Sequence, residues 1–406
     1  MTWSTISKVL NTGATTAHRH ADPKVFGRTP SGAALMITPS ELFGAAARCS
    51  HLHCVNIQIP TPESLVMARL IEQYVDDTTP EFAVLSKVDT LKDYVKSYFT
   101  GTVAAGLAYL FMDREGYIWS DHFENVKGGN PKHSRKPDFV FSGPTAGVAL
   151  MEAKGSRSGS IGTFDSTVLK GYSGQVEPHL GHVVGSQTAV RGYSIGSWMK
   201  STTAAEFRIH HTAPSMPSPT PRTSIPVADM DANEVATDIQ KNNFATAFGL
   251  AHSPVLANAL RHGTDRSQPM EVVPFLRFRW LDQYWVTSPL ISSTSWSEVS
   301  NVPFALLYSA SAWPRLRPLI HSHLFAIHAD VAKLALRTFL NDAVDTDRSP
   351  IPFPVMGSDV RDRARGLDRE GIGGAVFADG LALISPGAAI DNLELVDWHR
   401  GNNEFS

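Results

Sequence analysis

Cysteine is nearly absent from this chain. Its 406 residues hold two, Cys49 and Cys54, so a disulfide framework is not expected. Long apolar runs are missing too. The longest, Val103 to Met112, is about half of what a membrane-spanning helix needs. The first residues, Met1-Thr-Trp-Ser-Thr-Ile-Ser-Lys8, lack the charged start and apolar stretch of a secretory leader. A cytoplasmic protein with no membrane partner is therefore the expectation. Charge of one sign is not in excess. Lys and Arg number 36 against 39 Asp and Glu, a net of −3, which argues against a protein that coats nucleic acid non-specifically. Local basic loops could still bind it, with a partner subunit helping to deliver the substrate; a homodimer is the other partnership expected.

What is present is an ordinary globular composition, 42% hydrophobic and 18% charged, long enough for two or three domains. The segment richest in chemistry is Pro137-Asp138-Phe-Val-Phe141, then Ser142-Gly-Pro-Thr-Ala-Gly147, then Val148-Ala-Leu-Met-Glu152-Ala153-Lys154. It reads as two β-strands joined by a Gly/Pro turn. Side chains alternate across a strand, so Val148, Leu150, Glu152 and Lys154 share one face. Two acids and an ammonium then gather at one end of an otherwise apolar hairpin.

That grouping suits metal-assisted phosphodiester hydrolysis. Mg²⁺ takes oxygen ligands, usually one or two carboxylates with water and phosphate. Asp138 and Glu152 can supply the carboxylates, and the Ala153 carbonyl a third oxygen. A metal there (Mg²⁺ or Mn²⁺) would polarise the phosphate and generate a nucleophile from water at neutral pH. Lys154 would hold that water or neutralise charge developing on the phosphate.

With thirteen residues between Asp138 and Glu152, the pattern resembles the PD-(D/E)xK nucleases, the restriction-endonuclease-like superfamily. The resemblance implies an α/β core with a mixed central sheet flanked by helices. It implies divalent-metal cleavage of DNA, less often RNA, with Asp138 and Glu152 as metal ligands and Lys154 as the catalytic lysine. Many members place a helix after the second motif strand, with a Lys or Gln facing the metal. Here Ser166 to Val176 reads as that helix. Gln175 is the first candidate for the role and Lys170 the second. The branch related to RecB carries an aromatic three residues after its Gln. Pro178 stands there instead, which disfavours that branch. Such cores fused to large unfamiliar domains often serve bacterial genome defence, including restriction and anti-phage systems.

The flanks carry the remaining expectations. Lys132, His133, Arg135 and Lys136 form a basic loop leading into Asp138, placed to contact phosphates; Arg157 and Lys170 are further candidates. The family's upstream acid is not placed. Leu91 to Met112 reads as a helix, and Asp89, Asp93, Asp113, Glu115, Asp121 and Glu124 are all available. A catalytically degenerate fold, kept as a DNA-binding or scaffolding subunit, stays open for that reason.

Elsewhere the readings are structural. Cys49-Ser-His51-Leu-His53-Cys54 reads as a strand with buried cysteines; a zinc site would need distant partners such as His18 and His20. Phe275 to Trp280 alternates as a half-buried strand with Arg277 and Arg279 outward. His321, His323 and His328 fall in an expected helix running from Pro303 or Trp313 to Leu340. Asp359 to Arg369 reads as a solvated helix with opposite charges in close pairs. Ala375 to Ile384 reads as a hairpin turning on Asp379-Gly380. The expected organisation is an N-terminal region over 1–80, loosely ordered to about 35, and a nuclease core over 81–211. A Pro-rich linker follows over 212–226, then a C-terminal α+β domain of unrecognised chemistry over 227–406.

Overall fold

A computed structural model describes residues 3, 6–17, 27–28, 35–50, 61–143, 146–202, 204–212, 237–263, 272–288, 323–340, 353–385, 387–399 and 404–405. The chain forms two compact units. One comprises Met1–His53 and Val66–Phe244, the other Cys54–Leu65 and Ala245–Ser406.

The first unit is a mixed sheet with helices on both faces. Its strands are β1 (Lys8–Ala17), β2 (Gly27–Arg28), β3 (Leu35–Ile37), β4 (Trp119–His122), β5 (Phe139–Ser142), β6 (Val148–Ser156), β7 (Val183–Val184), β8 (Gln187–Trp198) and β9 (Glu206–Thr212). The main path runs β2-β1-β9-β8-β6-β5-β4, with β3 on β1 and β7 on β8. Pairs β6·β8 and β1·β9 are parallel; β4·β5, β5·β6 and β8·β9 are antiparallel. Its helices are α1 (Pro39–Ser50), the part of α2 (Thr61–Tyr74) from Val66 on, α3 (Asp93–Arg114) and α4 (Ile161–Gly171). Helix α3 buries Val103, Ala104, Leu107 and Ala108 and lies against the β6 face where Gly155 meets Thr100 and Ala104. Helix α4 covers the opposite face, its Phe164 and Val168 packed over Gly196 of β8.

The fold departs from the sequence expectations in several places. The N-terminal segment is not a separate region: β1 is a strand of this sheet, its Asn11–Ala17 paired with Glu206–Thr212. The helix expected from Ser166 begins five residues earlier, where the Ser160 hydroxyl accepts the Thr163 N–H. It ends at Gly171 and passes into a π turn, Tyr172–Val176, then a 3-10 turn, Glu177–His179. Cys49 is buried in α1, not in a strand. Cys54 and the rest of that expected strand from His51 on lie outside the described residues, as do His18, His20 and the Pro-rich stretch beyond Thr212.

The second unit has an antiparallel sheet ordered β13-β14-β12-β11-β10-β15-β16. These are β10 (Val272–Trp280), β11 (Gln283–Thr287), β12 (Leu324–His328), β13 (Gly374–Val376), β14 (Leu381–Ile384), β15 (Asp391–His399) and β16 (Glu404–Phe405). Part of the expected long helix is strand β12. His328 therefore sits in a sheet, its Nε2 3.1 Å from Gln283 Oε1, and the helix spans only Ala329–Leu340. The part before residue 323, with His321, lies outside the described residues. The Asp379-Gly380 hairpin closes as a three-residue loop, with Phe377 N–H bonded to Leu381 O and Gly380 N–H to Phe377 O. Arg277 and Arg279 are spent on Glu394 and Asp282. Among the described residues no helix is long and apolar enough to cross a membrane.

Candidate active site

The β5·β6 ladder ends at Phe139↔Met151, so Asp138 and Glu152 would form its next rung. Their side chains replace the missing backbone bonds. The Asp138 N–H donates to Glu152 Oε2 (3.1 Å), and the Ala153 N–H donates to Asp138 Oδ2 (2.9 Å). The Asp138 carbonyl accepts the Phe123 N–H at 3.0 Å, which fixes this residue from its other side. Lys154, two residues beyond Glu152 on the same face, donates to Glu152 Oε1 and to Gln175 Oε1 at 3.1 Å. Sequence alternation alone brings the first three groups together. Gln175 arrives from the far side of α4.

Two local devices aim Gln175. Gly171 lets the end of α4 press onto the sheet: a Cβ there would lie 2.8 Å from Ser194 Oγ, 3.3 Å from Lys154 Cε and 3.4 Å from Glu152 Cγ. The π turn that follows adds a residue to the helical repeat and re-aims the side chains after it, a distortion common at functional sites. Gln175 then bridges Lys154 and the Lys136 carbonyl, its Nε2 donating to the latter at 3.0 Å.

The electrostatics are those of a site short of positive charge. The Glu152 side chain is 1% exposed and that of Lys154 27%. Burial, then the neighbouring Asp138 charge, pushes the Glu152 carboxyl from its ordinary 4.5 up to about 7, against the pull of Lys154. Burial also raises Asp138, opposed by the Ala153 amide and Lys154. A buried acid, Glu152, and a partly buried one, Asp138, share one ammonium. The Ala153 N–H points to Asp138, and a strand residue's N–H and C=O face the same edge, so the Ala153 carbonyl opens to that side as well. An all-oxygen donor set with surplus negative charge fits Mg²⁺ or Mn²⁺. Among the described residues no cluster of three or more His, Cys, Asp or Glu gathers there or elsewhere. Water and phosphate oxygens could complete the shell of such an ion.

The raised Glu152 has a stability consequence. The folded chain holds a proton that the unfolded chain releases between 4.5 and about 7. The associated stability is present below that window and lost as pH rises through it. Glu152→Gln should therefore raise Tm by several degrees near pH 8, on the order of 2 kcal/mol, and by little near pH 5. Mg²⁺ should stabilise the wild type and not the variant. Differential scanning fluorimetry at both pH values, with Mg²⁺ or EDTA, checks each part.

The other candidates divide. Lys132, His133, Arg135 and Lys136 are exposed on the loop before Asp138, and Lys170 is exposed on α4. Arg157 is a correction: it does not offer its charge to phosphate. Its side chain is 2% exposed and binds Asp89 and the carbonyls of Val84, Leu85 and Met199. Of the upstream acids, Asp89 is held by Arg157 and Asp93 by Lys96. Asp121 is buried and accepts from Asn125. Glu124 is exposed, and its charge helps to raise Asp138. Sequence reasoning missed His179, buried beside the basic loop, because a lone His after a Pro carries no pattern. No family model, curated protein or solved structure matches the chain.

Proposed function

We propose that this chain is a metal-dependent nuclease that hydrolyses phosphodiester bonds in DNA through a restriction-endonuclease-like core. The observation that carries the reading is the meeting of Asp138, Glu152, Lys154 and Gln175 at the end of β5 and β6, beside an exposed basic loop. Asp138, Glu152 and the Ala153 carbonyl would hold Mg²⁺ or Mn²⁺. When bound, the ion would supply Lewis-acid activation of the phosphate and of water.

The chain's own residues account for the rest. Gln175 holds the Lys154 ammonium at the carboxylate pair, ready to orient the attacking water or to offset charge on the phosphoryl oxygens. Lys132, Arg135 and Lys136 face solvent next to Asp138 and would grip the backbone flanking the scissile bond. A role in genome defence accords with a nuclease core joined to a second large unit.

One observation favours a second reading, a degenerate nuclease fold that binds DNA without cutting it. Among the described residues no third acid completes a metal-holding group with the pair. Incubation of the purified chain with supercoiled plasmid, linear duplex, single strand and RNA, under Mg²⁺, Mn²⁺ and EDTA, separates the two. Metal-dependent nicking is expected. Salt-sensitive binding with no cleavage under any metal would establish the second reading instead.

A further inference from the structure

The basic loop before Asp138 is not a loose strap. Gly129 N–H bonds to Val183 O at 2.7 Å, and Gly185 N–H to Lys127 O at 2.7 Å. Asn130 Nδ2 donates to Pro178 O at 3.0 Å. The deepest attachment is His179, whose residue is 1% exposed. Its Nδ1 accepts the Asn130 N–H at 2.9 Å, and its Nε2 lies 2.9 Å from the Arg135 carbonyl. An acceptor at Nδ1 and a carbonyl partner at Nε2 define a neutral ring with its proton on Nε2. Phe123 packs edge-on against that ring, centroids 5.2 Å apart. Gly129 is fitted to it as well: at φ +80°, a Cβ there would stand 2.8 Å from His179 Nδ1 and 2.7 Å from Phe123 Cζ.

His179 stands four residues after Gln175, and the two take successive carbonyls of the loop. His179 takes Arg135 and Gln175 takes Lys136. The same Gln175 side chain holds the Lys154 ammonium. One short turn thus ties the cationic loop to the acid-and-lysine cluster by two side chains.

We infer that His179 is a positioning residue: it latches the 127–136 loop so that Lys132, Arg135 and Lys136 present a preset cationic edge to a nucleic-acid backbone beside Asp138. This rests on the nuclease reading for its ligand, while the latch itself is testable without it. Fixing the loop beforehand removes the cost of ordering it on binding. Loss of the latch therefore acts on affinity, and the Lys154–Gln175 contact is left in place.

The test pairs amide exchange with DNA binding. Hydrogen exchange of the peptide spanning the loop, and of the Asn130 amide by NMR, is measured for wild type, His179→Leu and His179→Gln. The Gln amide can accept from Asn130 and donate to Arg135. Binding of a labelled short duplex is followed by fluorescence anisotropy in EDTA, and KM and kcat are taken in Mg²⁺. The expected result is a protected Asn130 amide in wild type, protection lost in His179→Leu and largely restored in His179→Gln. Duplex affinity should fall about tenfold in His179→Leu, with KM raised to match, kcat within about twofold, and recovery in His179→Gln.

Rapid exchange at Asn130 in the wild type overturns the latch, and that measurement stands even where a variant does not fold. Unchanged affinity in a folded His179→Leu that has lost protection overturns the positioning role. A wild type with a protected Asn130 that binds no DNA overturns the nuclease reading, and the positioning role with it, and is recognisable by that combination.

Discussion

Alanine at Asp138 or at Lys154 should cut Mg²⁺-dependent plasmid nicking by about a thousandfold or more. Each substitution removes a different part of the cluster. Asp138→Ala takes away one of two carboxylates and the acceptor for the Ala153 N–H. Lys154→Ala removes the ammonium that faces Glu152 and Gln175. Neither group is part of the apolar core, and the Lys154 side chain is 27% exposed, so circular dichroism should stay close to wild type, while Tm falls modestly for the lost Ala153 acceptor or the lost partner of Glu152. Asp138→Asn sharpens the test. Its amide oxygen can still accept from Ala153, so the strand ends keep their geometry, yet the charge is gone. Comparable loss in Asp138→Asn and Asp138→Ala would assign the effect to charge and metal affinity. Full activity in either Asp138 variant or in Lys154→Ala would remove the cluster from the chemistry and assign the nicking to other residues.

The parts of this site that were legible in the sequence are those set by local periodicity. Alternation places Glu152 and Lys154 on one face, Gly and Pro punctuate the turn, and α3 announces itself by its apolar spacing. What was not legible depends on partners far along the chain. Strand β8 carries Ser194, Ser197, Gly192 and Gly196, residues that read as loop. They suit a strand here because side chains of α4 and the π turn, Phe164, Val168 and Val176, lie over those glycines. Strand β1, with three Thr and one Gly among its ten residues, looks loose until β9, nearly two hundred residues later, supplies its ladder. His179 shows the same limit. Its two contacts, Asn130 and Arg135, lie more than forty residues upstream, beyond any window of local pattern.

Arg157 shows that limit with the largest structural stake. In sequence it opens a polar Gly/Ser loop beside the motif, a natural place for a phosphate-binding cation. In the fold its guanidinium is enclosed. Nε and Nη2 take Asp89 Oδ1 and Oδ2 at 2.9 and 3.0 Å. Nη1 and Nη2 reach the carbonyls of Val84 and Leu85 at 3.1 Å each, and Nη1 also binds Met199 O. The end of β6 is thereby tied to two distant segments, and the Arg157 fork holds Asp89 below the ordinary carboxylate range. Arg157→Ala would strand three carbonyls without that donor. It should cost roughly 3–5 kcal/mol, visible as a lower urea midpoint with little change in slope. Arg157→Lys should recover only part, because a single ammonium cannot reproduce the planar fork. The salt dependence of DNA binding separates this from the sequence expectation. A phosphate contact would reduce the slope of log K against log[salt] by about one. A structural clamp leaves the slope unchanged in whatever fraction stays folded. A stable Arg157→Ala protein with a shallower salt slope would place the guanidinium on the substrate after all.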